Sequence, residues 1–136
     1  MGFKFEKLEI WQQSLDYVDA AYEIADSLPS KERYNLADQL RRASTSVSLN
    51  IAEGSTGQTN KQHSRFLGIA LRSLLETVAC IHLVKRRNYC KEETEKKHLA
   101  KLYKEANHLA ARIQAMRNSL TDRVGEEKVD YLIDDG

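Results

Sequence analysis

One proline, two cysteines and one tryptophan occur among 136 residues. With the commonest helix breaker almost absent and 30% of residues charged, the chain reads as soluble and helical. Cys80 and Cys90 are too few for a disulfide framework and lack the Cys-x-x-Cys spacing of a metal site. They are expected to be free thiols in a reducing compartment. No stretch approaches the roughly 18–20 consecutive apolar residues of a membrane span, so no membrane partner is expected. No segment alternates with period two, which excludes a β architecture. The N-terminal MGFKFEKLEIW has no apolar signal core, and Glu6 stands where a myristoylation motif needs Ser or Thr. The cytoplasm is the expected location.

What is present is unevenly spread. The formal net charge is +1, yet residues 31–90 hold ten Lys/Arg against four acidic residues, while residues 1–30 hold two against six. Residues 91–120 are again basic, and the end from Thr121 is acidic. A basic middle between acidic ends bears on partners more than the total does.

Four segments carry helical periodicity. The first spans about Glu9 to Leu28, with Trp11, Leu15, Val18, Tyr22 and Ala25 as its seam, and Pro29-Ser30 breaks it. The second spans about Lys31 to Glu53, with Ser30 as cap and Gly54 in the left-handed turn after its end. Thr59 and Gln62 form a capping box for a third helix from Asn60 to about Arg87, whose apolar residues cover more than one stripe and predict several neighbours. After a break at Asn88-Tyr89, the fourth spans about Lys91 to Leu120 with Leu99, Leu102, Ala106, Leu109, Ile113, Met116 and Leu120 in heptad register. Short connections predict an all-α, antiparallel up-down-up-down four-helix bundle over residues 1–121. The acidic tail 122–136 is expected to be disordered or to dock on a basic face.

The stretch QLRRASTSVSLNIAEG, Gln39 to Gly54, sets small hydroxyl residues between the apolar positions of a helix. Ala43, Ser44, Ser46, Ser48 and Ala52 allow neighbouring backbones to come close, with each Ser hydroxyl satisfied by the carbonyl four residues back. Asn50 lies beside the apolar seam, where a polar residue fixes register and partner choice. Together with Leu36, the Leu28-Pro29-x-x-Glu32-x-Tyr34 junction, Trp11, Ser64-Arg65-Phe66-Leu67 and LRSLLETV (Leu71 to Val78), this stretch closely resembles the bacterial four-helix-bundle family of 23S rRNA intervening-sequence proteins. The resemblance runs to about Leu120. It implies an up-down bundle, often a pentameric ring, and a likeness to the accessory protein of diversity-generating retroelements, which engages a reverse transcriptase and nucleic acid. Trp11, Asn50, Glu53, Gly54, Phe66, Ser73 and Glu76 are the motif residues it marks as structural.

The candidate phosphate-binding residues are Arg41, Arg42, Lys61, Arg65, Arg72, Lys85, Arg86 and Arg87, because arginine grips phosphate bidentately and each neutralised phosphate releases counterions. Arg42 and Arg72 are expected to pair with carboxylates. Lys85-Arg86-Arg87, with no acidic neighbour in sequence, is the stronger anion candidate. Glu53 and Glu76 read as hydrogen-bond acceptors rather than an acid/base pair, since no nucleophile accompanies them. Glu95-x-x-His98 and Glu105-x-x-His108 have a di-iron spacing but share one helix, and His108 points away from its seam. No metal or cofactor is expected. Gly54-Ser-Thr-Gly57 lacks the Lys-Ser/Thr ending of a P-loop. Trp11 and Tyr22 read as core. The expectation is a non-enzymatic homo-oligomer that binds RNA or a ribonucleoprotein through basic helix surfaces, the alternative being a protein-interaction module with no nucleic-acid affinity.

Overall fold

The computed structural model describes residues 2–57 and 59–124, the last four as helix path only. The expected acidic tail lies outside the described residues from 125 onward. Four helices follow a short 3-10 turn at Lys4–Lys7: α1 Glu9–Ser27, α2 Leu36–Ser55, α3 Asn60–Arg86 and α4 Glu93–Val124, with a second 3-10 turn at Ser30–Glu32. At about 1.5 Å per residue the helices range from roughly 29 to 48 Å. Each packs on its sequence neighbours, and α4 closes the ring against α1.

The contacts fix the direction of every pair. Between α1 and α4, Arg112 reaches Glu9 at 2.9 Å, and His98 lies 3.5 Å from Glu23. Between α1 and α2, Arg41 meets Asp26 and Tyr22 meets Thr45. Ser46 meets Ser73 and Gly54 lies against Phe66 between α2 and α3, Arg117 Nε donates to the Ser64 carbonyl between α4 and α3, and the rings of His82 and Tyr103 touch. Residue numbers rise on one helix as they fall on its neighbour, so the bundle is antiparallel throughout.

The heptad residues of α4 lie where the sequence puts them: Leu102, Leu109 and Ile113 are fully buried beside Leu40, Val47, Ile51 and Leu67. Each such side chain contributes about 1.5–3 kcal/mol by leaving water. Across the centre, the hydroxyls of Tyr17 and Thr77 share a 2.6 Å hydrogen bond, and burial raises the Tyr17 pKa well above its ordinary value. α3 is long and apolar enough to cross a membrane by length and composition alone. Half of that apolar window is nevertheless buried inside the bundle, where Leu67, Ala70, Leu71 and Leu74 face the core.

Several local expectations change. The α1 seam is Ile10, Ser14, Tyr17, Ala21, Ile24 and Leu28, and of the expected set Ala25 alone is buried with it. Leu15 and Tyr22 are about 40% exposed, while Trp11 is half-buried with Phe5 edge-on to it at 4.8 Å. α2 starts at Leu36 rather than Lys31, and Ser30 belongs to the separate 3-10 turn instead of capping it. The Ser/Thr hydroxyls bond to carbonyls three residues back, not four: Ser44 to Arg41, Ser55 to Ala52 and Thr77 to Leu74. Thr59 does cap α3, its hydroxyl accepting the Gln62 N–H.

Gly54 departs most from expectation. It is buried inside α2, and no left-handed turn occurs there. A Cβ at this position would stand 2.9 Å from Phe66 Cβ and 3.0 Å from His63 Cδ2. Glycine is needed because α3 returns so closely, not because the chain turns.

Candidate functional site

α3 ends in a left-handed residue, Asn88, at φ 57°. The Tyr89 N–H donates to Val84 O and the Asn88 N–H to Lys85 O, the paired bonds of a Schellman ending. This reversal turns the chain toward α4 and exposes Lys85, Arg86 and Arg87. Tyr89 then ties the α3–α4 connection to the α1–α2 connection, its hydroxyl donating to Glu32 Oε2 at 2.7 Å. Lys31 Nζ lies 5.9 Å from the centre of the same ring.

One end of the bundle therefore collects Lys31, Arg33, Lys85, Arg86, Arg87 and Lys91, all exposed. Among the described residues, none of the six is in an ion pair within 4.0 Å. Glu32 is engaged by Tyr89 and Asn35, and those hydrogen bonds hold its carboxyl below the usual range. The nearby Glu92, Glu93 and Glu95 open α4, where carboxylates complement the helix dipole, and Glu95 accepts the Glu92 N–H. Lys85 and Arg86 similarly complement the negative end of α3. That local rule does not explain why Lys31, Arg33 and Lys91 meet them.

The remaining expected cations are dispersed. Arg41 pairs with Asp26 at 2.9 Å and Arg42 more loosely with Asp38 at 3.4 Å. Arg72 is exposed on α3 with no ion pair among the described residues, contrary to the pairing expected of it. Lys61 and Arg65 sit at the other end of α3; the 24 residues between Lys61 and Lys85 span about 36 Å of helix. Arg65 lies 5.7 Å over the Phe66 ring.

Of the motif residues, Asn50, Gly54, Phe66 and Ser73 serve the α2–α3 contact. Asn50 Nδ2 donates to the Ser46 carbonyl at 2.8 Å and to its hydroxyl at 3.0 Å, and that hydroxyl shares a 2.8 Å bond with Ser73. Glu53 and Glu76 are exposed and do not come together. Glu53 lies beside Gly54, which is level with Phe66, so ten residues of α3 separate that level from Glu76, about 15 Å along the axis. The two Glu-x-x-His pairs are also split between duties: Glu95 bonds backbone, Glu105 meets Lys101 at 3.8 Å, and His98 faces Glu23. Among the described residues, no three His, Cys, Asp or Glu side chains form a group that could hold a metal ion.

Two hollows lie on opposite sides. The larger, about 690 Å³, lies between α3 and α4 beside the cationic end and is lined by Ile81, His82, Lys85, Leu99 and Tyr103, among others. Burial raises the thiol pKa of Cys90 on its wall above the ordinary value. The smaller, about 400 Å³, lies on the α1–α2 side around Tyr22, Arg42, Thr45 and Leu49, and Leu49 is 63% exposed.

Sequence reasoning missed Lys31, Arg33, Lys91 and Tyr103. Only the α1–α2 connection arriving beside the α3–α4 connection gives the first three their setting; the spacing of Tyr103 from Leu99 and Leu102 could have placed the fourth at the edge of the seam.

A family model described as 23S rRNA-intervening sequence protein matches residues 6–121. No curated protein matches the chain.

Proposed function

The chain belongs to the 23S rRNA-intervening sequence protein family, and on that premise we propose that it is a non-enzymatic, homo-oligomeric bundle that binds RNA or a ribonucleoprotein in the bacterial cytoplasm. The observation that carries this reading is the union of Lys31 and Arg33 with Lys85, Arg86, Arg87 and Lys91 at one end of the bundle, with no carboxylate paired to any of them among the described residues. Unpaired surface cations attract a polyanion by releasing its counterions, and they carry no base code. Binding is therefore electrostatic and sequence-tolerant. Repetition of the patch around an oligomer, a pentamer by family resemblance, raises avidity without new contacts.

The test is light-scattering mass with and without a structured ribosomal RNA fragment, across a salt series. The expected result is a mass near that of a pentamer, with RNA bound at low salt and lost steeply as salt rises. Lys85→Glu/Arg86→Glu/Arg87→Glu should weaken binding across all RNA sequences and flatten the logarithmic salt slope by about 3, one unit per lost phosphate contact. An oligomer indifferent to RNA at every salt concentration overturns the proposal.

A second reading, a protein-interaction module, draws on the opposite side. Leu15, Tyr22 and Leu49 are exposed there on adjoining helices, which suits a protein surface better than a phosphate. Salt-insensitive capture of a protein, lost in Leu49→Asp, would favour it.

A further inference from the structure

The hollow between α3 and α4 combines features that a plain phosphate-binding surface does not need. Its floor is apolar, formed by the buried Ile81, Cys90 and Leu99. Its aromatic wall is a corner in which the Tyr103 and His82 rings stand 5.9 Å apart at 81°. Tyr103 is 42% exposed, so part of its ring is uncovered. Lys85, Asn88 and Lys96 are the other polar residues of its lining. Lys96 has only a 4.0 Å contact with Glu93, and Lys85 has no ion pair among the described residues. At about 690 Å³ the hollow lies within the range of small-molecule sites.

We propose that this hollow receives one unpaired nucleotide of a bound RNA, its base against Tyr103 and its phosphate at Lys85 and Lys96. The inference rests on the RNA-binding reading and deepens it from surface attraction to single-strand preference. A base has a flat apolar face for an aromatic wall and an edge that can hydrogen-bond to groups such as Asn88, and its phosphate needs a cation. Lys85 belongs both to this hollow and to the cationic end, so the flanking phosphates of the same strand run directly onto Arg86 and Arg87. That continuity, together with the amide and the aromatic corner, favours a nucleotide over an alkyl anion, which would use the floor and the lysines alone. A base inside a duplex cannot enter. The hollow therefore adds affinity only for unpaired RNA.

Oligouridylate and a fully paired RNA duplex of equal length are titrated against the intact protein, Tyr103→Ala, Tyr103→Phe and Lys85→Ala, with melting curves confirming each fold. The expected result is a roughly tenfold loss of oligouridylate affinity in Tyr103→Ala, about the worth of one stacked base. Duplex binding should be unchanged in that variant, and Tyr103→Phe should restore the affinity, whereas Lys85→Ala should weaken both probes. Equal affinity of Tyr103→Ala and the intact protein for oligouridylate overturns the nucleotide site while leaving the cationic surface standing, as does an equal loss on both probes. Binding of neither RNA overturns the surface reading and the nucleotide site together. Perturbation of the Tyr103 ring resonances by an alkyl carboxylate but not by oligouridylate assigns the hollow to an amphiphile and also overturns the proposal.

Discussion

Along its α2 flank α3 has no space to spare, and along its α4 flank it leaves a hollow of about 690 Å³. On the first flank Gly54 admits Phe66 and His63 to within a Cβ's reach, and farther along it the side chains of Ser46, Asn50 and Ser73 are hydrogen-bonded to one another. On the second, Lys85 and Tyr103 stand open to solvent. Small side chains and internally paired polar groups make an adhesive surface; large side chains with unused charge make a receptive one. The motif-rich α2 thus serves assembly of the bundle, and the chemistry available to a partner lies on the other flank.

The contrast breaks first at Gly54. Valine there must push aside the Phe66 and His63 side chains and the His63 carbonyl, which is 3.3 Å from the added Cβ. Overpacking of this kind costs about 1–3 kcal/mol, and only a fraction returns through better helix propensity. Gly54→Val should therefore lower the melting temperature by about 3 °C for each kcal/mol, with Gly54→Ala falling between it and the native chain. A Gly54→Val protein that melts with the native one would show that the flank has slack.

A smaller loss should appear on acidification. His63 lies in the same contact, its Nε2 buried without a hydrogen-bond partner among the described residues, and burial, assisted by the charge of Lys4, holds its pKa below the ordinary 6.5. The fold favours the neutral ring, while the unfolded chain takes up a proton as pH drops below 6.5. Its stabilising share is complete above that pH and declines below it as the unfolded state gains protons. Urea midpoints measured from neutral to mildly acid pH should fall in the native protein and fall less in His63→Gln; parallel profiles would remove His63 as the cause.

How far this contrast could be read from sequence depends on whether its cause is local. The α4 heptads, the Thr59 cap and the break at Asn88 each rest on residues within a few positions of one another, and all three stand in the structure. α1 was ambiguous because two interleaved stripes share helical spacing, one through Trp11, Leu15 and Tyr22 and the other through Ile10, Tyr17 and Ile24. The larger aromatics favour the first, but Ser14 and Ala21 let neighbours approach and make the second the core. Gly54 fits either a helix end or a close approach, and only Phe66 decides. The cationic end needs the α1–α2 and α3–α4 connections brought together by a Tyr89–Glu32 bond across 57 positions, which no local pattern announces.

The smallest effect on stability should come from the open flank itself. Lys85 is exposed, has no ion pair among the described residues, and touches the fold chiefly through the dipole of the last turn of α3. Removing a favourable charge there costs about 0.3–1 kcal/mol at most and less in salt. Lys85→Ala should melt within about 3 °C of the native protein and closer to it in salt, a shift below that of Gly54→Val. A large loss of stability would mean that the lysine supports the α3–α4 contact and that the hollow is held open by it. An unchanged melt beside weakened RNA binding would separate the two flanks by experiment, one holding the helices together and the other left free for a partner.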